Sequence, residues 1–317
     1  MVPFAVAGVQ MNVSAIHTNL PVMRQKLEVM MSIYPWVQMV VFSELCTRGP
    51  LLQFAGDPAD YEKEFCKMAK KHRIWLLPGS VFEKVGDKVY NTASVINPDG
   101  EVVGRYRKMF PFFPYEEGVS SGEDFLVFDV PDVGRFGVSI CYDMWFPETS
   151  RTLAAMGAEV ILHPTMTGTI DRDIELAIAR STAAINQCYV FDINGLQAGG
   201  NGRSIICGPD GRVIYEANTS EEMIPLELDL ERVRRSREIG VLRLGQPLKS
   251  FRDSKVDFTI YDKDYKNTYL ESLGPLNKPG RIDKVQQAII HQEKELGQTH
   301  KQEESLHKGG SIVPPKS

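Results

Sequence analysis

The chain has 317 residues, of which 43% are hydrophobic and 24% charged, and a formal net charge of −5. That is enough apolar material for one large domain or two ordinary ones, and the mildly acidic balance gives no reason to expect nucleic acid or an anionic membrane as partner. No apolar run approaches bilayer length, MVPFAVAGVQMN lacks a basic leader region, and the five scattered cysteines form no CxxC pair, so a cytoplasmic protein with reduced thiols is expected.

Short apolar, β-rich runs alternate with helical patterns from the start. FAVAGVQ (4–10) and MVVFS (39–43) read as buried strands, with a helix over about 20–34 between them. A second helix over about 58–72 leads to IWLLPGS (74–80), again apolar on both faces. Strands without a polar face, separated by helices, predict an α/β fold whose sheet is covered by helices. TASVINPDGEVVGRY (92–106) predicts a hairpin about Pro98-Asp99-Gly100. Proline presets φ, aspartate caps its own turn and glycine takes the positive φ. SIICGPDGRVIYE (204–216) repeats the device at Pro209-Asp210-Gly211, a hint of two related halves.

Between the hairpins lie four more strand-like runs, FLVFDV (125–130), RFGVSIC (135–141), AEVILH (158–163) and CYVFDIN (188–194). Helices are predicted over 147–156 and 171–186, the second with Ile174, Ala177, Ile178 and Ile185 as a core-facing stripe. QAGGNGRS (197–204) precedes a strand rather than a helix and reads as a turn. The pattern weakens past Tyr261, which places a domain over 1–262 and an extension over 263–317. Within the extension, 281–296 has a helical pattern whose Ile289 and Ile290 need a partner to cover them, and 297–317 is polar.

The six histidines are scattered without ligand spacing, and no phosphate-binding glycine motif is present, so neither a metal nor a cofactor is expected. Cys66, Cys188 and Cys207 read as buried structural thiols. Cys141 differs, because it ends a strand and Pro147 is placed to open the next helix. Such a bend exposes a side chain at the sheet's end, where backbone N–H groups also face a bound oxyanion. A thiol nucleophile needs a base; His163, at another strand end, is the histidine candidate. Glu44 follows a buried strand in VVFSELCTRG, and Lys108 follows another in GRYRKMFPFFPYEEG. Acid, cation and thiol at three strand ends would meet at one edge.

These three segments, FSELCTRG, GRYRKMF and GVSICYDMWFPE, resemble in order and spacing the motifs of the nitrilase superfamily, the carbon–nitrogen hydrolases with a Glu-Lys-Cys triad. The likeness runs from AVAGVQMN to about residue 260. It implies a four-layer αββα sandwich, self-association into dimers or larger oligomers, and Glu44, Lys108 and Cys141 as base, oxyanion-binding cation and nucleophile. It also implies a second active-site glutamate in YEEG; Glu116 and Glu117 both qualify, and Glu117 is preferred for its place before the downstream glycine. The resemblance implies a thioester pathway on a small amide, with the Tyr142 N–H assisting Lys108. Tyr142-Asp143 disfavours nitrile cleavage, and Trp145 stands where omega-amidases usually carry arginine, which points to a neutral carboxamide. Hydrolysis of an N-carbamoyl compound is the alternative. Tyr142, Trp145, Tyr115, Thr165 and Met166 are the expected substrate contacts, with Phe112 and Phe113 as further pocket walls or ordinary packing.

Overall fold

The computed structural model describes residues 3–262 and 264–278. The first half runs β1 (Phe4–Gln10), β2 (Asn12–Val13), α1 (Leu20–Ile33), β3 (Met39–Phe42), α2 (Ala59–His72), β4 (Trp75–Leu77), β5 (Val81–Val85), β6 (Lys88–Ile96) and β7 (Val102–Arg107). The second runs β8 (Leu126–Val130), β9 (Gly134–Val138), α3 (Pro147–Ala155), β10 (Val160–Thr165), α4 (Arg172–Asn186) and β11 (Tyr189–Asn194). There follow β12 (Leu196–Gln197), β13 (Gly200–Asn201), β14 (Ile205–Cys207), β15 (Val213–Glu216), β16 (Glu222–Leu228), α5 (Glu231–Ile239), α6 (Pro247–Asp253) and α7 (Thr268–Glu271).

Local chemistry accounts for the helix limits. Pro21 sits in the first turn of α1, and Met23, Leu27 and Met30 bury one stripe. In α2, Asp60 and Glu62 occupy the first turn and Lys70, Lys71 and His72 the last, which suits the helix dipole; Arg73 ends it in the left-handed conformation.

One sheet has the order β16-β1-β3-β4-β6-β5, with β7 on β6; the other has the order β15-β14-β11-β10-β9-β8. Each contains three parallel strands followed by an antiparallel hairpin: β1, β3, β4 with β6–β7, and β9, β10, β11 with β14–β15. Both Pro-Asp-Gly turns pack against the preceding helix. A side chain at Gly100 would meet the Cys66 carbonyl of α2, and one at Gly211 the Arg180 carbonyl of α4; φ is positive at both. The repeated hairpin signal thus marks a repeated architecture.

Strand alternation builds the layers. Met39 and Val41 of β3, with Val160 and Leu162 of β10, fill a core between the sheets. Val40 and Phe42 face the other way, toward Met23, Leu27, Phe65 and Met68 of α1 and α2. Ile161 and Val190 meet Leu153, Leu176, Ala179 and Ala183 of α3 and α4. The result is the expected α/β sandwich of four layers.

Some expectations need correction. The expected stripe of α4 splits: Ile178 packs against the core, while Ile174 is 52% exposed and Ile185 37%. The buried face is instead Arg172, Glu175, Leu176, Ala179, Thr182, Ala183 and Asn186, because pairing of Arg172 with Glu175 and Asp192 lets charged groups enter the interior. Gln197 to Gly200 forms the tight turn between β12 and β13. The first compact unit includes residues through Ser272, and the helical pattern of 281–296 lies outside the described residues. No helix among the described residues is long and apolar enough to cross a membrane.

Candidate active site

Glu44 comes two residues after β3, and its backbone N–H donates to the Thr165 carbonyl at 3.2 Å, tying the two sheets together at this edge. Its carboxylate is buried. Oε1 accepts from Asn91 Nδ2 at 2.7 Å and from Lys108 Nζ at 2.9 Å, while Oε2 has no hydrogen-bond partner. Burial pushes the Glu44 carboxyl up to about 7, against the pull of Lys108 and with added repulsion from Glu116.

Lys108 follows β7. Its N–H donates to the Asn91 carbonyl at 2.8 Å and its carbonyl accepts from Gly122 at 2.8 Å, so the backbone is held on both sides. Nζ lies 2.8 Å from Glu116 Oε2 as well as against Glu44. Burial opposes the charge, yet Glu44, the Cys141 sulfur and Glu116 together hold the ammonium pKa well above its ordinary value. An ammonium carries three N–H donors, and two go to these carboxylates. The third is available to a ligand.

The second glutamate against Lys108 is Glu116, not Glu117. The segment closes a turn in which the Glu116 N–H donates to the Phe112 carbonyl at 2.9 Å and Glu116 Oε2 accepts from the Phe112 N–H at 2.5 Å. That turn aims Glu116 inward and leaves its neighbour Glu117 exposed.

Cys141 opens a 3-10 turn, Cys141–Trp145, directly after Ile140, with φ of 47°. A positive φ at a side-chain-bearing residue is strained and persists only where its surroundings enforce it. Asp143 supplies that constraint: Oδ2 accepts from the Ile140 N–H at 2.8 Å and from the Tyr106 hydroxyl at 2.7 Å. Its Oδ1 accepts from the Met109 and Phe110 N–H groups at 3.1 and 2.8 Å. One buried carboxyl therefore joins the cysteine turn to the lysine segment; burial raises it to about 6, against those hydrogen bonds. The Cys141 thiol is held well above its ordinary pKa by burial and then by the Glu44 charge, with Lys108 opposing. At rest the proton is on sulfur, and the carboxylate beside it titrates near neutrality.

His163 is engaged away from the thiol proton. Its Nδ1 pairs with Ser139 Oγ at 2.8 Å, and burial lowers the ring to about 4. Around the sulfur lie the Met166 backbone, which hydrogen-bonds it, and Thr167 Oγ1 at 3.9 Å. Tyr142 is ringed by Phe112, Trp145 and Phe146 at centroid distances of 4.8, 5.9 and 5.2 Å. Tyr115 stacks on Phe112 at 5.0 Å and is 56% exposed, so it stands at the rim. Thr165 is buried, with its carbonyl committed to Glu44 and its hydroxyl donating to the His163 carbonyl at 3.4 Å; it braces the site where a substrate contact was expected. Asn91, Asp143 and Thr167 were not anticipated as site residues. A single asparagine in a strand and an aspartate after a cysteine carry no distinguishing pattern in sequence.

The carbon-nitrogen hydrolase family profile matches residues 5–238. An omega-amidase of Saccharomyces cerevisiae is 33% identical over 199 residues, which cover 57% of this chain and 68% of that protein. A formamidase of Helicobacter acinonychis is 28% identical over 272 residues, 76% of this chain and 80% of that one. The crystal structure of Saccharomyces cerevisiae Nit3, a nitrilase-superfamily member, superposes with a TM-score of 0.69 at 30% identity, over 74% of this chain and 93% of that one. With the matched region spanning both sheets and all three strand ends of the site, this chain belongs to the carbon–nitrogen hydrolase family, within the nitrilase superfamily.

Proposed function

We propose that the chain is a cysteine-dependent amidase acting on a small neutral carboxamide. The observation that carries this reading is the contact of Lys108 with two carboxylates beside Cys141, with Glu44 Oε2 unpartnered. Glu44 takes the thiol proton as sulfur attacks the amide carbon. The carbonyl oxygen gains charge and is met by the third Lys108 N–H and the Tyr142 backbone N–H. Glu44 returns the proton to the leaving nitrogen, and ammonia departs as the thioester forms. Water, deprotonated by Glu44, then attacks the thioester and releases the carboxylate and the thiol. Glu116 keeps Lys108 charged and aimed throughout.

The aromatic cluster of Tyr142, Trp145 and Phe112 supports a small, uncharged acyl group. The test is ammonia and carbon dioxide release from neutral amides, nitriles and N-carbamoyl compounds. Ammonia without carbon dioxide from neutral amides, lost in Cys141→Ala, is expected. Equal release by Cys141→Ala would remove the nucleophile from the account, and carbon dioxide release would move the substrate to the N-carbamoyl class.

A further inference from the structure

A second buried charge cluster lies beside the nucleophile and has no part in the steps above. Glu175 of α4 is 8% exposed. Its Oε2 accepts from Arg172 Nη1 at 3.1 Å, and its Oε1 accepts from the Trp145 indole N–H at 3.4 Å. The Thr167 hydroxyl, 3.9 Å from Cys141 Sγ, acts to lower the pKa of this carboxylate against its burial. Glu175 is thus tied to the cysteine turn through Trp145. Its charge acts on Cys141 in the same direction as that of Glu44.

Charge counting sharpens the point. Among the described residues, Lys108 and Arg172 are the only buried Lys or Arg side chains. Each is shared by two carboxylates, Glu44 and Glu116 for Lys108, Glu175 and Asp192 for Arg172. The charge of each is already outnumbered by its two carboxylates, and the N–H that Lys108 keeps is the one assigned to the reacting carbonyl, so a substrate carboxylate would add negative charge near Glu175. Coulomb repulsion is weakly screened in a site with little water.

We propose that Glu175, held by Arg172 and Trp145, is a specificity-determining residue that excludes amides with an anionic acyl group. The proposal rests on the amidase reading, and binding separates the two. The experiment titrates Cys141→Ala and Cys141→Ala/Glu175→Gln proteins calorimetrically with succinamate and with its neutral methyl ester. The ester binds more tightly to the first protein, and its advantage shrinks by about tenfold in the second. Should Glu175→Gln fail to fold, Trp145→Phe in the same background removes a donor that favours the Glu175 carboxylate and narrows the ester's advantage. Tighter binding of succinamate than of its ester, or a preference that neither substitution moves, would overturn the proposal. Turnover of the methyl ester by the unaltered chain tests the amidase reading on its own.

Discussion

Two buried cations among the described residues have the same arithmetic, and the proposed chemistry uses one of them. Lys108 lies between Glu44 and Glu116 at 2.9 and 2.8 Å; Arg172 lies between Glu175 and Asp192 at 3.1 and 2.9 Å. Both leave capacity unspent, Arg172 Nε and Asp192 Oδ1 included, and the difference is where that capacity lies. The ammonium of Lys108 keeps an N–H in reserve, and Glu44 keeps an unpartnered oxygen beside the thiol. The guanidinium of Arg172 spends Nη2 on the Arg203 carbonyl at 2.8 Å and so anchors α4 to the strand region that follows. Unsatisfied hydrogen-bonding capacity can serve chemistry only beside a nucleophile; elsewhere, as around Arg172, the same capacity accompanies a brace.

The largest expected effects break the first cluster. Glu44→Gln, which keeps the volume and removes the base, lowers kcat by roughly a thousandfold or more in a turnover assay, as does Cys141→Ala. Residual activity within tenfold in either would move the chemistry elsewhere. Lys108→Met and Arg172→Met sharpen the comparison, since each leaves carboxylates buried without their cation. Both should cost about 3–5 kcal/mol in denaturant unfolding. Of the two, only Lys108→Met should also remove nearly all turnover per folded molecule; equal loss in both would erase the distinction.

The pH dependence follows from Glu44, whose folded pKa of about 7 lies above the ordinary 4.5. Activity needs the carboxylate, so kcat/KM rises with pH through about 7. Stability runs the other way. A raised folded pKa means the folded state holds the proton more tightly, so this group's contribution is fully present below 4.5 and is lost as pH rises through 7. Glu44→Gln flattens that part of the stability profile; an unchanged profile would show that Glu44 is not the titrating group. The smallest effects separate neighbours. Glu116→Gln lowers kcat by about ten- to a hundredfold through the loosened Lys108, whereas Glu117→Gln stays within about 0.5 kcal/mol of the parent in stability and unchanged in rate.

Much of the fold was legible in the sequence, because strands apolar on both faces and two Pro-Asp-Gly turns are local signals. Glu44, Lys108 and Cys141 were legible because each follows a strand and the three match a family pattern together. What was hidden depends on tertiary pairing. Glu116 rather than Glu117 is chosen by a turn closed on Phe112, a distinction of one residue that no spacing rule resolves. The inward face of α4 carries Arg172 and Glu175, which look like surface residues until Asp192 and Trp145 are brought to them. Asp143 is a hub only because the lysine segment and the cysteine turn arrive at the same place.

The most direct test of the account is rapid acid quenching of the protein during turnover of a neutral amide, followed by peptide mass analysis. The account predicts a transient acyl group on the Cys141 peptide, formed more slowly in Glu44→Gln and absent in Cys141→Ala. An acyl group on another residue, or steady turnover by Cys141→Ala, would contradict it.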